Sequence, residues 1–187
     1  MGREDAARHL GEAKAAATAP VRSRLAHRLP WLALGLLGAM LAAGLVSAFE
    51  DALRENVLLA FFVPAVVYMA DAVGTQTETV VIRAIAVGVP LRAVAARELA
   101  SGLVTGCVLG LAFFAFADTV WGDRRVATAV AAALALSASI ATLVAMAIPY
   151  ALDRLRFDPA FGSGPLATVI QDLLSIAVYF LAAAALL

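Results

Sequence analysis

Asp172 stands inside an apolar run that continues to the last residue, Leu187. Asp158 and Pro159 read as a turn or helix start, and Gly162-Ser163-Gly164 then breaks the chain before Pro165, which suits a first helical turn. From Pro165 to Leu187 is 23 residues, long enough to cross a bilayer with some tilt. Asp172 falls about 10 Å inside the membrane edge by the rise of an α-helix. A charge at the centre of a span costs about 2.5–3.5 kcal/mol on insertion scales, so an intramembrane carboxylate is a functional candidate by default. A second acidic stretch is Asp71-Ala-Val-Gly-Thr75-Gln76-Thr-Glu78. Asp71, Thr75 and Glu78 recur at i, i+4 and i+7, on one helical face. In a helix entering at Val57, Asp71 lies about 9 Å above the far edge of the hydrocarbon, close to the depth of Asp172, and Glu78 lies at the mouth. Two carboxylates at one level repel unless a cation sits between them or one is protonated. A divalent cation meets that need. Oxygen ligands with no cysteine or histidine favour Mg2+, Ca2+ or Mn2+, and the hydroxyls and amides of Thr75, Gln76, Thr168 and Gln171 suit an ion that keeps water.

Each of these residues also has a structural reading. Asp172 could pair with Arg83 or a backbone amide. Asp71 could cap a helix break near Gly74, and Glu78 could face inner water. Threonine and glutamine in spans often serve as packing contacts.

The elements that must position these groups are membrane helices. The chain is 63% hydrophobic, against roughly 45–50% in soluble domains, which predicts an all-α integral membrane bundle. Five spans are expected: Trp31 to Ala48, Val57 to the region of Arg83, Leu99 to Ala117, Val126 to Tyr150, and Pro165 to Leu187. Pro64 is expected to kink the second and Pro149 to end or bend the fourth. Phe49-Glu50-Asp51 closes the first span, with a charged loop to Asn56. Gly35, Gly38, Ala39, Ala42 and Ala43 would allow close packing of that span. The expected domains are a basic cytoplasmic segment over residues 1–29, helical from Gly2 to Ala19, and a transport domain over residues 30–187. No apolar core precedes residue 30, so no cleavable signal peptide is expected. The single cysteine, Cys107, excludes an internal disulfide. His9 and His27 precede the first span, so no histidine metal site is expected in the membrane. A net charge of zero gives no case for nucleic acid.

The C-terminal stretch resembles the last transmembrane helix of the MgtE family of magnesium transporters, through Asp158-Pro-Ala, Ser163-Gly-Pro165, Thr168, Asp172 and Tyr179-Phe180. Span 2 is similar to the family's pattern at Pro64, Gly74-Thr-Gln76 and Arg83-Ala-Ile-Ala86, and Arg28-Leu-Pro-Trp31 and Phe49-Glu50 match around the first span. The departure is at Ala70-Asp71-Ala72, where the family has Gly-Gly-Asn. An amide is lost there and an acid appears one position earlier. The resemblance implies a homodimer with five spans per subunit. It places an ion path at the dimer axis, lined by spans 2 and 5, with Asp172 as the Mg2+-binding carboxylate. It also implies cytoplasmic regulatory domains, for which residues 1–29 are too short. The expectation is a pore not gated by that route, or gated by a separate partner.

The leading expectation is a channel or transporter for a divalent cation, Mg2+ foremost, in the inner or plasma membrane. A proton- or sodium-coupled exchanger is the alternative, with Asp71 and Glu78 as proton carriers, and a scaffold subunit without transport is a third. No nucleophile–base pair or phosphate loop suggests an enzyme. Orientation follows from charge. With the N-terminus inside, the inner segments hold 11 of the 14 basic residues and the outer loops only Arg54, Arg124 and Arg125. Reporters at the N-terminus and in the 153–158 loop are therefore expected to read as cytoplasmic, and one at 121–124 as external. An external 153–158 loop would overturn the orientation and the span count together.

Overall fold

The computed structural model describes Gly11, Lys14 and residues 18–187, with backbone alone at Ala160 and Phe161. The helix expected from Gly2 to Ala19 lies mostly outside the described residues. Six helices follow: α1 Val21–Ser47, α2 Glu50–Glu55, α3 Leu58–Ala86, α4 Leu91–Trp121, α5 Arg124–Arg154 and α6 Pro159–Leu186. All but α2 contain a stretch long and apolar enough to cross a membrane, and no strand occurs among the described residues.

The helices outrun the expected spans at most ends, because apolarity marks only the hydrocarbon part of each element. α1 starts ten residues before Trp31 and passes through Pro30, and α5 passes through Pro149. Pro64 likewise sits within α3. Membrane helices tolerate proline because neighbouring helices and side chains re-satisfy the freed carbonyl. The charged loop after the first span contains a short helix, α2, held by an Arg54–Glu50 pair at 2.5 Å. The largest departure is at Gly162–Pro165. These residues do not break the chain but lie within α6. Gly162 is buried against the Trp31 ring of α1, and Pro165 lies near Gly35. The glycines and the proline there serve helix contact.

Turn chemistry explains the ends. Gly88 adopts a left-handed φ of 78° after α3, and the Val89 amide donates to the Ala84 carbonyl at 2.8 Å, as in a Schellman motif. Gly122, φ 69°, ends α4. Asp123 then caps α5, its Oδ1 accepting from the Arg125 and Val126 amides at 3.1 Å each.

α5 is the centre of the bundle and packs against α3, α4 and α6. It buries small residues such as Ala133, Ser137, Ala141 and Ala145, which let its neighbours approach closely. α4 meets it through Gly102, Gly106 and Gly110, spaced four apart. A Cβ at Gly106 would stand 2.9 Å from the Ala135 carbonyl oxygen, and one at Gly110 2.7 Å from that of Ala131. One end of the bundle holds the aromatic core. There Phe62 meets Phe113 and Trp121 edge-on, and the buried Tyr179 hydroxyl donates to the Leu59 carbonyl at 2.9 Å. α1 packs mainly on α6, and only Gly38 on it is buried. A Cβ at Gly38 would overlap the Val169 side chain.

Because Gly110 faces main chain that cannot rotate away, Gly110→Val is expected to destabilise the detergent-solubilised protein by about 1–3 kcal/mol, read as a lower midpoint of thermal unfolding. An unchanged midpoint would mean that α4 and α5 do not pack through this stripe.

Candidate cation site between α3 and α6

The contacts Leu59/Tyr179, Asp71/Thr168 and Glu78/Ser163 run in opposite order along α3 and α6, so the two helices are antiparallel. This register decides where each acid lies. Thr168 Oγ1 donates to Asp71 Oδ1 at 3.1 Å. Ser163 Oγ lies 2.5 Å from Glu78 Oε1 and 2.6 Å from the Pro159 carbonyl oxygen, so its one proton serves two acceptors. Gly164 is beside the same carboxylate. Asp172 falls opposite the turn of α3 that holds Tyr68. Its level is therefore about 5 Å from that of Asp71 along the helix axis, and Glu78 lies about 10 Å beyond Asp71. The three acids form a ladder, where counting along the sequence set Asp71 and Asp172 at one depth.

α1 and α3 both pack on α6 and scarcely on each other, which leaves a groove floored by α6. Around α6, Thr168 and Gln171 face α3 and Val169 faces α1. At 100° per residue Asp172 lies between those directions, towards the groove. Asp71 and Asp172 are half-buried and Glu78 is buried. Asp71 stands at a level between those of Asp172 and Glu78. Among the described residues, no basic side chain is paired with any of the three. Arg83 is exposed and forms no ion pair with Asp172. Asp71 caps nothing, because α3 continues through Gly74.

The remaining candidates separate. Thr75 lies on the Asp71 side of α3 but is exposed. Gln76 faces elsewhere and lines a cavity against α4, together with Glu98. Glu98 is an acid that the sequence reading left out, because it placed the third span's start at Leu99. The helix begins at Leu91, directly after Pro90, and that proline was the available signal. Ser163 belongs to the motif that carries the family resemblance, but nothing in the sequence shows that its hydroxyl serves Glu78. Gln171 is buried, and its Oε1 has no hydrogen-bond donor among the described residues. It presses on Gly74, where a Cβ would overlap the carboxamide. Among the described residues, no three acids, histidines or cysteines gather closely enough to enclose a metal. Within one chain the groove suits an ion that keeps water.

The profile of a divalent cation transporter family, MgtE, matches residues 63–182. This chain belongs to the MgtE family. The matched region runs from within α3 to within α6 and includes all three ladder carboxylates. The chain is 37% identical over 158 residues to the magnesium transporter MgtE of Bacillus subtilis, covering 82% of this chain and 35% of that protein. It is 33% identical over 157 residues to the magnesium transporter MgtE of Enterococcus faecalis, with coverage of 82% and 35%. With the magnesium transporter MgtE of Thermus thermophilus it shares 33% identity over 165 residues, 86% of this chain and 36% of that protein. The chain thus spans about a third of the length of these MgtE relatives. As an MgtE member it is a multi-pass membrane protein, and an ion-transport family rather than an enzyme family frames its carboxylates.

The contact between Gly74 and Gln171 holds α3 against α6 at the level of the ladder. Gly74→Ala is expected to lower stability by about 1–3 kcal/mol in detergent. The same change in a Gln171→Ala background should cost much less, because the two sites share one contact. Equal costs in both backgrounds would remove this contact from the account.

Proposed function

We propose that the chain forms a path for a hydrated divalent cation, Mg2+ foremost, across the membrane, with the N-terminus cytoplasmic and the path at the contact of two copies. The observation that carries this reading is the α3/α6 ladder. Three carboxylates at successive levels border a groove, hydroxyls serve two of them, and among the described residues no basic side chain neutralises any. An anionic groove in an apolar bundle needs a cation or water. A hydrated Mg2+ is commonly held by one or two carboxylates through its retained waters.

The name magnesium transporter, carried by the relatives, supports Mg2+ as the cargo. The uncovered face of α3 supports a second copy. Phe61 is 56% and Tyr68 70% exposed, and Pro64, Thr75 and Thr79 continue the strip beside Asp71. Two such strips facing across a two-fold axis would enclose the groove and double its carboxylates. In this reading Asp172 is the central ligand, Asp71 and Thr168 support it one turn away, and Glu78 with Ser163 forms the inner mouth. Thr75 would join only from the dimer face. Gln76 has no part in it.

Divalent titration in detergent and flux into liposomes test this together. Asp172→Asn is expected to keep a folded protein but weaken Mg2+ binding by about tenfold or more, since a charge-assisted contact is worth about 1.5–3 kcal/mol. Asp71→Ala should reduce flux, and Asp71→Asn should reduce it less, because the amide oxygen can still accept from Thr168. Unchanged affinity and flux in Asp172→Asn would make that residue structural and remove the Mg2+ reading with it.

A further inference from the structure

The side of α3 turned away from the ladder borders a cavity of about 160 Å3 shared with α4. α3 contributes Val73, Gln76, Thr77 and Val80, which form one helical stripe. α4 contributes Glu98, Ser101, Gly102 and Thr105, which form the facing stripe. By volume the cavity holds about five water-sized groups. Five of its eight lining residues carry polar side chains. Gln76, Thr77, Glu98, Ser101 and Thr105 form no side-chain hydrogen bond or ion pair among the described residues. Thr79, Ser139 and Thr142 show the usual alternative, each hydroxyl bonding back to the carbonyl four residues earlier. The polar groups around this cavity thus keep their oxygens available.

Their chemistry selects an occupant. One carboxylate, one amide oxygen and three hydroxyls offer hard oxygen ligands with a single negative charge, and no lysine or arginine lines the space. A monovalent cation would neutralise Glu98. A divalent ion would leave one positive charge with no counter-charge among the lining residues. Glu98 is partly buried and faces hydroxyls, an amide and apolar groups, with no basic side chain among the lining residues to meet its charge.

We propose that the α3/α4 cavity is a binding site for one partly hydrated monovalent metal cation of Na+ size, with Glu98 as its charged ligand and Gln76, Thr77, Ser101 and Thr105 as neutral ones. It is separate from the ladder, since Gln76 and Thr77 point more than a quarter turn away from Asp71 around α3.

Equilibrium binding of radioactive Na+ to the full chain in detergent, without Mg2+, tests it. Wild type is expected to bind one Na+ per chain. Glu98→Gln should weaken binding by about tenfold or more, as loss of a charge-assisted contact does. The Glu98-dependent part of Na+ binding should persist in Asp172→Asn, which keeps this site distinct from the proposed Mg2+ path. Should Glu98→Gln not fold, the near-isosteric Thr105→Val replaces it, with several-fold weaker binding expected. Absence of Na+ binding in wild type would overturn the proposal. Unchanged binding in a folded Glu98→Gln, or in Thr105→Val where that variant stands in, would do the same. Glu98-dependent binding of Mg2+ in preference to Na+ would overturn the charge argument and with it the assignment.

Discussion

The constraint on which the bundle depends is the placement of Asp71, Glu78 and Asp172 among apolar helices with no basic partner among the described residues. Ionised groups away from bulk water must be solvated by something. Here Thr168 and Ser163 supply single hydroxyl donors, and Asp71 and Asp172 remain partly exposed beside α6. Neither hydroxyl replaces a hydration shell. The three carboxylates are therefore incompletely satisfied by the described protein groups alone, which is the condition the proposed ion path rests on.

Positioning those groups requires close and defined helix contact, which small residues provide. Gly74 admits the Gln171 carboxamide, Gly38 admits Val169, and Gly162 admits the Trp31 ring. The glycines of α4 bring it onto the backbone of α5. Between helices in lipid there is little hydrophobic driving force, so association rests on packing at short range. The buried Tyr179 hydroxyl on the Leu59 carbonyl ties α6 to α3 at the far end and sets the antiparallel register along which the acids are spaced. α3 is consequently two-sided. One side carries the ladder, and the other carries the polar wall of the cavity with α4.

Much of this was legible in the chain. Five apolar runs of membrane length predict five spanning helices, because in hydrocarbon every backbone group must be satisfied within its own segment. Asp71 and Glu78 could be placed on one face of one helix from periodicity alone, since seven residues return nearly to the same direction. The stretch from Asp158 to Phe180 was sufficient to point to the family. Helix ends were less legible. Arg22 and Arg154 lie in helices but outside the apolar runs, where hydropathy carries no signal. Gly162 to Pro165 have the local chemistry of a break, and the neighbouring Trp31 makes them part of a helix.

By itself, then, the sequence determined the class of fold, the number of spans and the shared helical face of Asp71 and Glu78, because these follow from composition and from periodicity within one helix. Tertiary structure decided which groups share a site. Whether Gln76 belongs with Asp71 or with Glu98, whether Ser163 is a turn residue or a donor to Glu78, and how far Asp172 stands from Asp71 along the bundle all depend on the register of α3 against α6 and α4. That register is set by contacts between residues about 20 to 120 positions apart in the chain, such as Tyr179 with Leu59, and no pattern within a single helix encodes it.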